Sequence, residues 1–175
     1  MRRLAASLLL LLAGGQLAPV YSGGSQGVAA AQLAAIEVAP IPDKTGFLVR
    51  DRLLARLQPD GAQETPRYRL VVTLDDRIDG FGVRGDNSII RERRTLRARY
   101  ELIDIATDKQ LLLATAGSDA GIDVVASEYA VVAAEVTAIE RLAQTVADQI
   151  VARLAVFAQT SPAPPPPSQP KPAAP

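Results

Sequence analysis

The chain has 175 residues, with 19 Lys+Arg balanced by 19 Asp+Glu and neither His nor Cys. That length suits one domain with a sizeable core and ends outside it. Without imidazole or thiol, Ser-His-Asp and Cys-His catalysis, disulfides and zinc sites built on His or Cys are excluded, and zero net charge argues against a nucleic-acid binder held by overall positive charge.

Met1-Arg2-Arg3 is followed by an apolar run from Leu4 to Ala13 and then by small residues, Ala13-Gly14-Gly15. Basic, apolar and small residues in that order predict an export signal over 1–15. The run is shorter than the roughly 20 residues a membrane span requires. Residues 16–32 are expected to form a linker, and 33–159 a single domain.

Within the domain, Leu33 to Ile41 places Ile36 and Val38 on one side of Glu37, a short strand closed by Pro40 and Pro42. Asp43 is the expected N-cap of a helix reaching Leu57, with Val49, Leu53 and Leu57 repeating every fourth residue. Arg67 to Ile78 alternates, with Tyr68, Leu70, Val72 and Leu74 on one face, and Gly80 to Asn87 is turn chemistry. Ser88 to Ile105 resumes alternation, with Leu96, Ala98, Tyr100 and Leu102 facing inward. Thr107-Asp108 turns into a strand beginning at Gln110. Ser127 or Glu128 opens a long helix with the stripe Val132, Val136, Ile139, Ala143, Val146 and Ile150. The seven prolines between Pro162 and Pro172 make 160–175 an extended tail unable to build a core. The order β-α-β-β-β-α predicts an α+β fold, two helices packed on one face of a small four-stranded mixed sheet.

Three segments carry a resemblance: Leu12-Ala13-Gly14-Gly15-Gln16-Leu17-Ala18-Pro19-Val20-Tyr21, Ile36-Glu37-Val38-Ala39-Pro40-Ile41-Pro42-Asp43-Lys44-Thr45-Gly46 and Ala98-Arg99-Tyr100-Glu101-Leu102-Ile103-Asp104. In order and spacing they resemble the alphaproteobacterial lipopolysaccharide-assembly lipoprotein family LptE. The resemblance implies a non-enzymatic outer-membrane partner of the LptD β-barrel that helps place lipopolysaccharide in the outer leaflet. Nothing in the sequence calls for a cofactor or a metal. The family's lipidated cysteine falls at Gly15, which cannot be acylated. Either an engineered replacement or a homologue without the lipid accounts for that glycine, and attachment at the periplasmic side of the outer membrane then runs through the barrel.

The candidate binding residues are arginines. Arg91, Arg93, Arg97 and Arg99 share one parity of the third strand and project to one face, with Thr95 among them. Arg94 points the other way, near the turn, where low burial is expected. Arg67 and Arg69 share the open face if Tyr68 and Leu70 point inward. Arginines on a rigid strand can clamp lipid A phosphates or core-sugar carboxylates through paired N–H donors. The competing interpretation is a solvated face answered by Asp75, Glu101 and other acids. At the level of function, the alternative is a periplasmic auxiliary subunit of another lipid ABC-transport system.

Other features point to no chemistry. Arg84-Gly85-Asp86 lies in a glycine-rich turn, Asp75, Asp76 and Asp79 lack calcium-loop spacing and look like solvated turn acids, and Ser127 suits a helix cap with no His to activate it.

Overall fold

The computed structural model describes residues 27–59, 65–83, 89–124 and 127–160. Its elements run α1 (Val28–Ala34), β1 (Ile36–Val38), α2 (Asp43–Leu57), β2 (Tyr68–Val83), β3 (Ile89–Asp104), β4 (Lys109–Asp123) and α3 (Glu128–Thr160). The export signal, Gly15, Arg84-Gly85-Asp86 and the proline tail lie outside the described residues.

The expected α+β class is the one observed. The strands form one mixed sheet in the order β1-β2-β3-β4, with α2 and α3 flanking it. β1 runs parallel to β2, which it meets only at Tyr68, Arg69 and Leu70. The β2–β3 and β3–β4 pairs are antiparallel. α1 is an addition to the expected order: it begins in the stretch expected to be linker and takes in Leu33 and Ala34, so β1 starts only at Ile36. Its sequence, VAAAQLA, is too short to display an amphipathic period but rich in alanine, the strongest helix former.

Alternation decides which strand residues enter the core. Leu70 and Val72 of β2 and Leu96, Ala98, Tyr100 and Leu102 of β3 are buried under the helices. Val49, Leu53 and Leu57 supply the α2 row, and Leu142, Val146, Ile150 and Leu154 the α3 row. Burial raises the Tyr100 phenol above its ordinary pKa, and the nearby Arg153 charge works against that rise.

Three local expectations are corrected. α2 begins at Asp43 rather than after it, with Pro42 at the N-cap position and no side-chain cap. Asp43 makes the turn with φ of 70°, a left-handed conformation that Asp tolerates better than most residues. β2 continues through Gly80 to Val83, which pairs with Ile89, so the glycines lie within a long hairpin arm. Finally, Val132 and Val136, placed in the core stripe of α3, are 52% and 43% exposed. The reason is length. At about 1.5 Å per residue, the 15-residue α2 spans roughly 22 Å and the 33-residue α3 roughly 50 Å. Thr45 near the start of α2 bonds to Asp76, so α2 stops short of the first turns of α3.

Gly46 explains the tight entry to α2. A Cβ there would stand 2.7 Å from the Ile41 carbonyl oxygen, so only glycine lets the first turn settle on the exit of β1. Ser127 caps α3 as expected, its hydroxyl accepting from the Ala130 N–H at 3.4 Å.

Helix side chains cover two stretches of sheet edge. Arg50 of α2 and Gln58 at its C-cap donate to the Val38 and Ile36 carbonyls of β1. On the opposite edge, Gln149 of α3 accepts from the Gly117 N–H at 3.0 Å and donates to its carbonyl at 3.3 Å. A single amide thus replaces a missing neighbour strand at that position.

Candidate functional site

The face of the sheet away from the helices carries the arginines. Arg91, Arg93, Arg97 and Arg99 occupy alternate positions of β3 and are all exposed. At about 3.3 Å per residue they form a row of roughly 26 Å. Arg69 lies on the same face, and Arg67, one residue before β2, continues its alternation. The six do not converge. Arg69 pairs with Ile103, four residues beyond Arg99, and Arg67 lies farther still from the row.

Cross-strand neighbours divide the row in two. Arg91 donates to Asp123 at 3.0 Å. Arg93 sits over the Phe81 ring, 5.3 Å from its centroid, and reaches Asp119 at 3.9 Å. Arg69 faces Glu37 at 3.7 Å. Arg97 and Arg99 differ: among the described residues no carboxylate comes within 4.0 Å of either. Asp75, opposite Arg97 on β2, is held instead by Arg77 at 2.9 Å. The solvated-face interpretation therefore describes Arg91, Arg93 and Arg69 but not the centre of the row.

That centre is a shallow depression of about 440 Å³. Arg97 and Arg99 line it with Thr73, Thr95 and Thr115, one hydroxyl from each long strand, and with the acids Asp75 and Asp119. Gly117 pairs with Arg97 across β3 and β4. A Cβ at Gly117 would meet the Arg97 Cγ at 3.3 Å, so glycine leaves room for the arginine stem to lie along the floor. Two guanidinium groups without carboxylate partners, beside three hydroxyls, make a chemically coherent site for a phosphorylated or carboxylated sugar.

One functional-looking pair was misjudged in the sequence. Arg94 does point to the helix face, but its side chain is only 15% exposed and that of Asp76 only 21%. Arg94 Nε donates to Asp76 Oδ1 at 2.9 Å and Nη2 donates to Oδ2 at 2.7 Å. Thr45 donates to the same carboxylate at 2.8 Å, and Arg94 also donates to the Glu135 carbonyl of α3 at 3.4 Å. Asp76 is thus no solvated turn acid. Its side-chain bonds with Arg94 hold its pKa below the usual carboxylate value against the opposing effect of burial, with further lowering from Thr45 and the Arg94 charge. The detectable signal was two charges of opposite sign at core parity on adjacent strands. The group joins β2, β3, α2 and α3 and is structural.

Among the described residues no group of three or more His, Cys, Asp or Glu could hold a metal ion. No described helix is long and apolar enough to cross a membrane.

The fold is shared with known lipoproteins. A chain from Caulobacter crescentus CB15 described as a lipoprotein is 24% identical, with 78% of this chain and 100% of that one covered and a TM-score of 0.63. Rare lipoprotein B from Shewanella oneidensis is 12% identical, covering 69% of this chain and 93% of its own, with a TM-score of 0.52. A minor lipoprotein from Acinetobacter baumannii gives 13% identity, 70% and 92% coverage and a TM-score of 0.53. No curated protein matches the chain. The family model for lipopolysaccharide assembly, LptE, matches residues 33–154, which span β1 through most of α3. The chain belongs to the LptE lipopolysaccharide-assembly family.

Proposed function

We propose that this protein serves lipopolysaccharide assembly as a binding component, holding an anionic part of the lipopolysaccharide head on its open sheet face and pairing one-to-one with an LptD-type barrel. The observation that carries the ligand assignment is that, among the described residues, no carboxylate lies within 4.0 Å of Arg97 or Arg99 in a threonine-lined depression. Family membership supplies the class of ligand and of partner. The groups bind and orient; none is asked to transfer a proton or form a covalent bond. A glycine at position 15 has no thiol for a thioether-linked diacylglycerol, so outer-membrane attachment is assigned to the barrel.

The test is lipopolysaccharide binding by the purified protein. Arg97→Ser with Arg99→Ser should weaken affinity about tenfold or more, the scale of losing one or two charge-assisted contacts, while circular dichroism stays unchanged. Unchanged affinity in the folded double variant overturns the ligand assignment. The partner assignment is tested separately, by co-isolation with the barrel, and fails if the two do not purify together.

A further inference from the structure

One edge of the sheet is β4. The other consists of β1 and, beyond it, the upper part of β2, which pairs with no described strand on that side because β1 covers only Tyr68 to Leu70. Arg50 and Gln58 occupy the β1 stretch, and Gln149 interrupts the β4 edge. On β2, the Ala39 N–H donates to the Leu70 carbonyl. That bond sets the parity: even-numbered residues of β2 direct their N–H and C=O toward this edge. From Val72 to Gly82 no described backbone group bonds to them. A free strand edge is a template for another strand.

We infer that this edge pairs with the same edge of a second copy of the chain, antiparallel about a two-fold axis at Ile78. In that register Ile78 stands opposite Ile78 of the second copy, and Asp76 opposite Gly80. Arg77 stands opposite Asp79 of the second copy, twice by symmetry. The register is self-complementary in three respects. Opposite charges meet on the open face, where Asp79 and Arg77, which already holds Asp75 of its own strand at 2.9 Å, are both exposed. Ile78, a large apolar side chain that is 43% exposed on the helix face, gains an apolar neighbour. Gly80, at helix-facing parity, carries no side chain to obstruct the helix layer of the second copy. The inward charge that would normally discourage an added strand, Asp76, is already neutralised by Arg94.

Neighbouring registers are poorer. Centring on Gly80 sets Asp79 against Phe81. Centring on Asp76 brings Gly82 of the second copy to Leu70, whose carbonyl Ala39 already holds. Centring on Asp75, Arg77 or Asp79 would also join the outward-directed even-numbered residues, but it sets like charges directly opposite each other.

The pairing is independent of the barrel assignment and is tested on the purified full chain. Because the chain has no cysteine, Ile78→Cys introduces a single thiol that meets its own symmetry mate. Directly opposed residues of a hydrogen-bonded antiparallel pair have Cα atoms about 5.5 Å apart, within disulfide range. Under mild oxidation Ile78→Cys should give a covalent dimer much faster than Ala152→Cys, which carries an exposed thiol on α3. In sedimentation, Arg77→Asp should abolish the concentration-dependent dimer, and Arg77→Asp with Asp79→Arg should restore it. Cross-linking no faster than the Ala152→Cys control overturns the inference. So does a chain that stays monomeric at all concentrations, or a dimer indifferent to Arg77→Asp.

Discussion

Arg94 and Asp76 meet in a two-point ion pair on the helix side of the sheet, with N···O distances of 2.9 and 2.7 Å. Thr45 from α2 and the Glu135 carbonyl from α3 complete the group, so a single carboxylate is linked to both helices and both central strands. Removing one partner from a largely desolvated pair leaves the other charge uncompensated, which costs more than the pair contributes as a unit.

Asp76→Asn should therefore destabilise the domain by about 2 kcal/mol in urea unfolding, the scale of lost charged hydrogen bonds. Arg94→Met with Asp76→Leu should recover much of that loss, since an apolar pair of similar volume removes both desolvation costs. The pH dependence follows from the lowered Asp76 pKa. A depressed carboxylate contributes stability above its unfolded pKa, near 3.9, and that stability disappears as pH falls through the lower folded value. Wild type should lose stability in this acid window and Asp76→Asn should lose less. Parallel acid profiles would remove Asp76 from the account.

Much of the fold was legible because it rests on alternation. Leu96, Ala98, Tyr100 and Leu102 on one side of β3 and the arginines on the other require only a period of two. What alternation cannot give is height along the sheet. Asp76 and Arg94 had readable parity, but their burial depends on where α2 begins, which the sequence of β2 and β3 does not contain. The exposure of Val132 and Val136 has the same cause seen from α3. Among the arginines the shared face was readable. The separation of Arg97 and Arg99 from the paired members depends on the β4 register, where Asp123 meets Arg91 and Gly117 meets Arg97.

Gly46 offers a test of packing against propensity. In an exposed helix Gly→Ala would stabilise by roughly 1 kcal/mol. Here the added methyl would lie 2.7 Å from a backbone oxygen that cannot swing away as a side chain end could. Gly46→Ala should therefore destabilise by about 2 kcal/mol, within the range for overpacked sites. A rise in thermal midpoint would show that β1 and α2 can separate without cost.

Gln149 should matter to the edge of β4 more than to the core. Its amide bonds both backbone groups of Gly117, and its own exposure limits the energetic value of each bond. Gln149→Ala should cost about 1 kcal/mol and speed hydrogen exchange at the Gly117 amide. Amides of β3 facing β2 should keep their protection. Uniform loss of protection would mean that Gln149 supports the whole sheet instead of one position on its edge.

The depression around Arg97 permits a test that leaves charge untouched. Gly117→Val adds bulk beside Arg97 Cγ, where even a Cβ would be at 3.3 Å, and must displace the arginine stem from the floor. Valine suits a strand, so the sheet should tolerate it. Net charge is unchanged, and long-range attraction for an anionic head should persist. Binding of lipopolysaccharide should nonetheless fall severalfold, because a bidentate contact depends on where the guanidinium is held as well as on its charge. Arg91→Ser with Arg93→Ser should do the reverse, lowering affinity at low salt and flattening its salt dependence while leaving affinity at high salt nearly unchanged, since these exposed charges act through attraction that salt screens. Titration of each variant at two ionic strengths reads both effects. Equal affinity for Gly117→Val and wild type would show that the head is attracted by the whole arginine face and is not seated at Arg97.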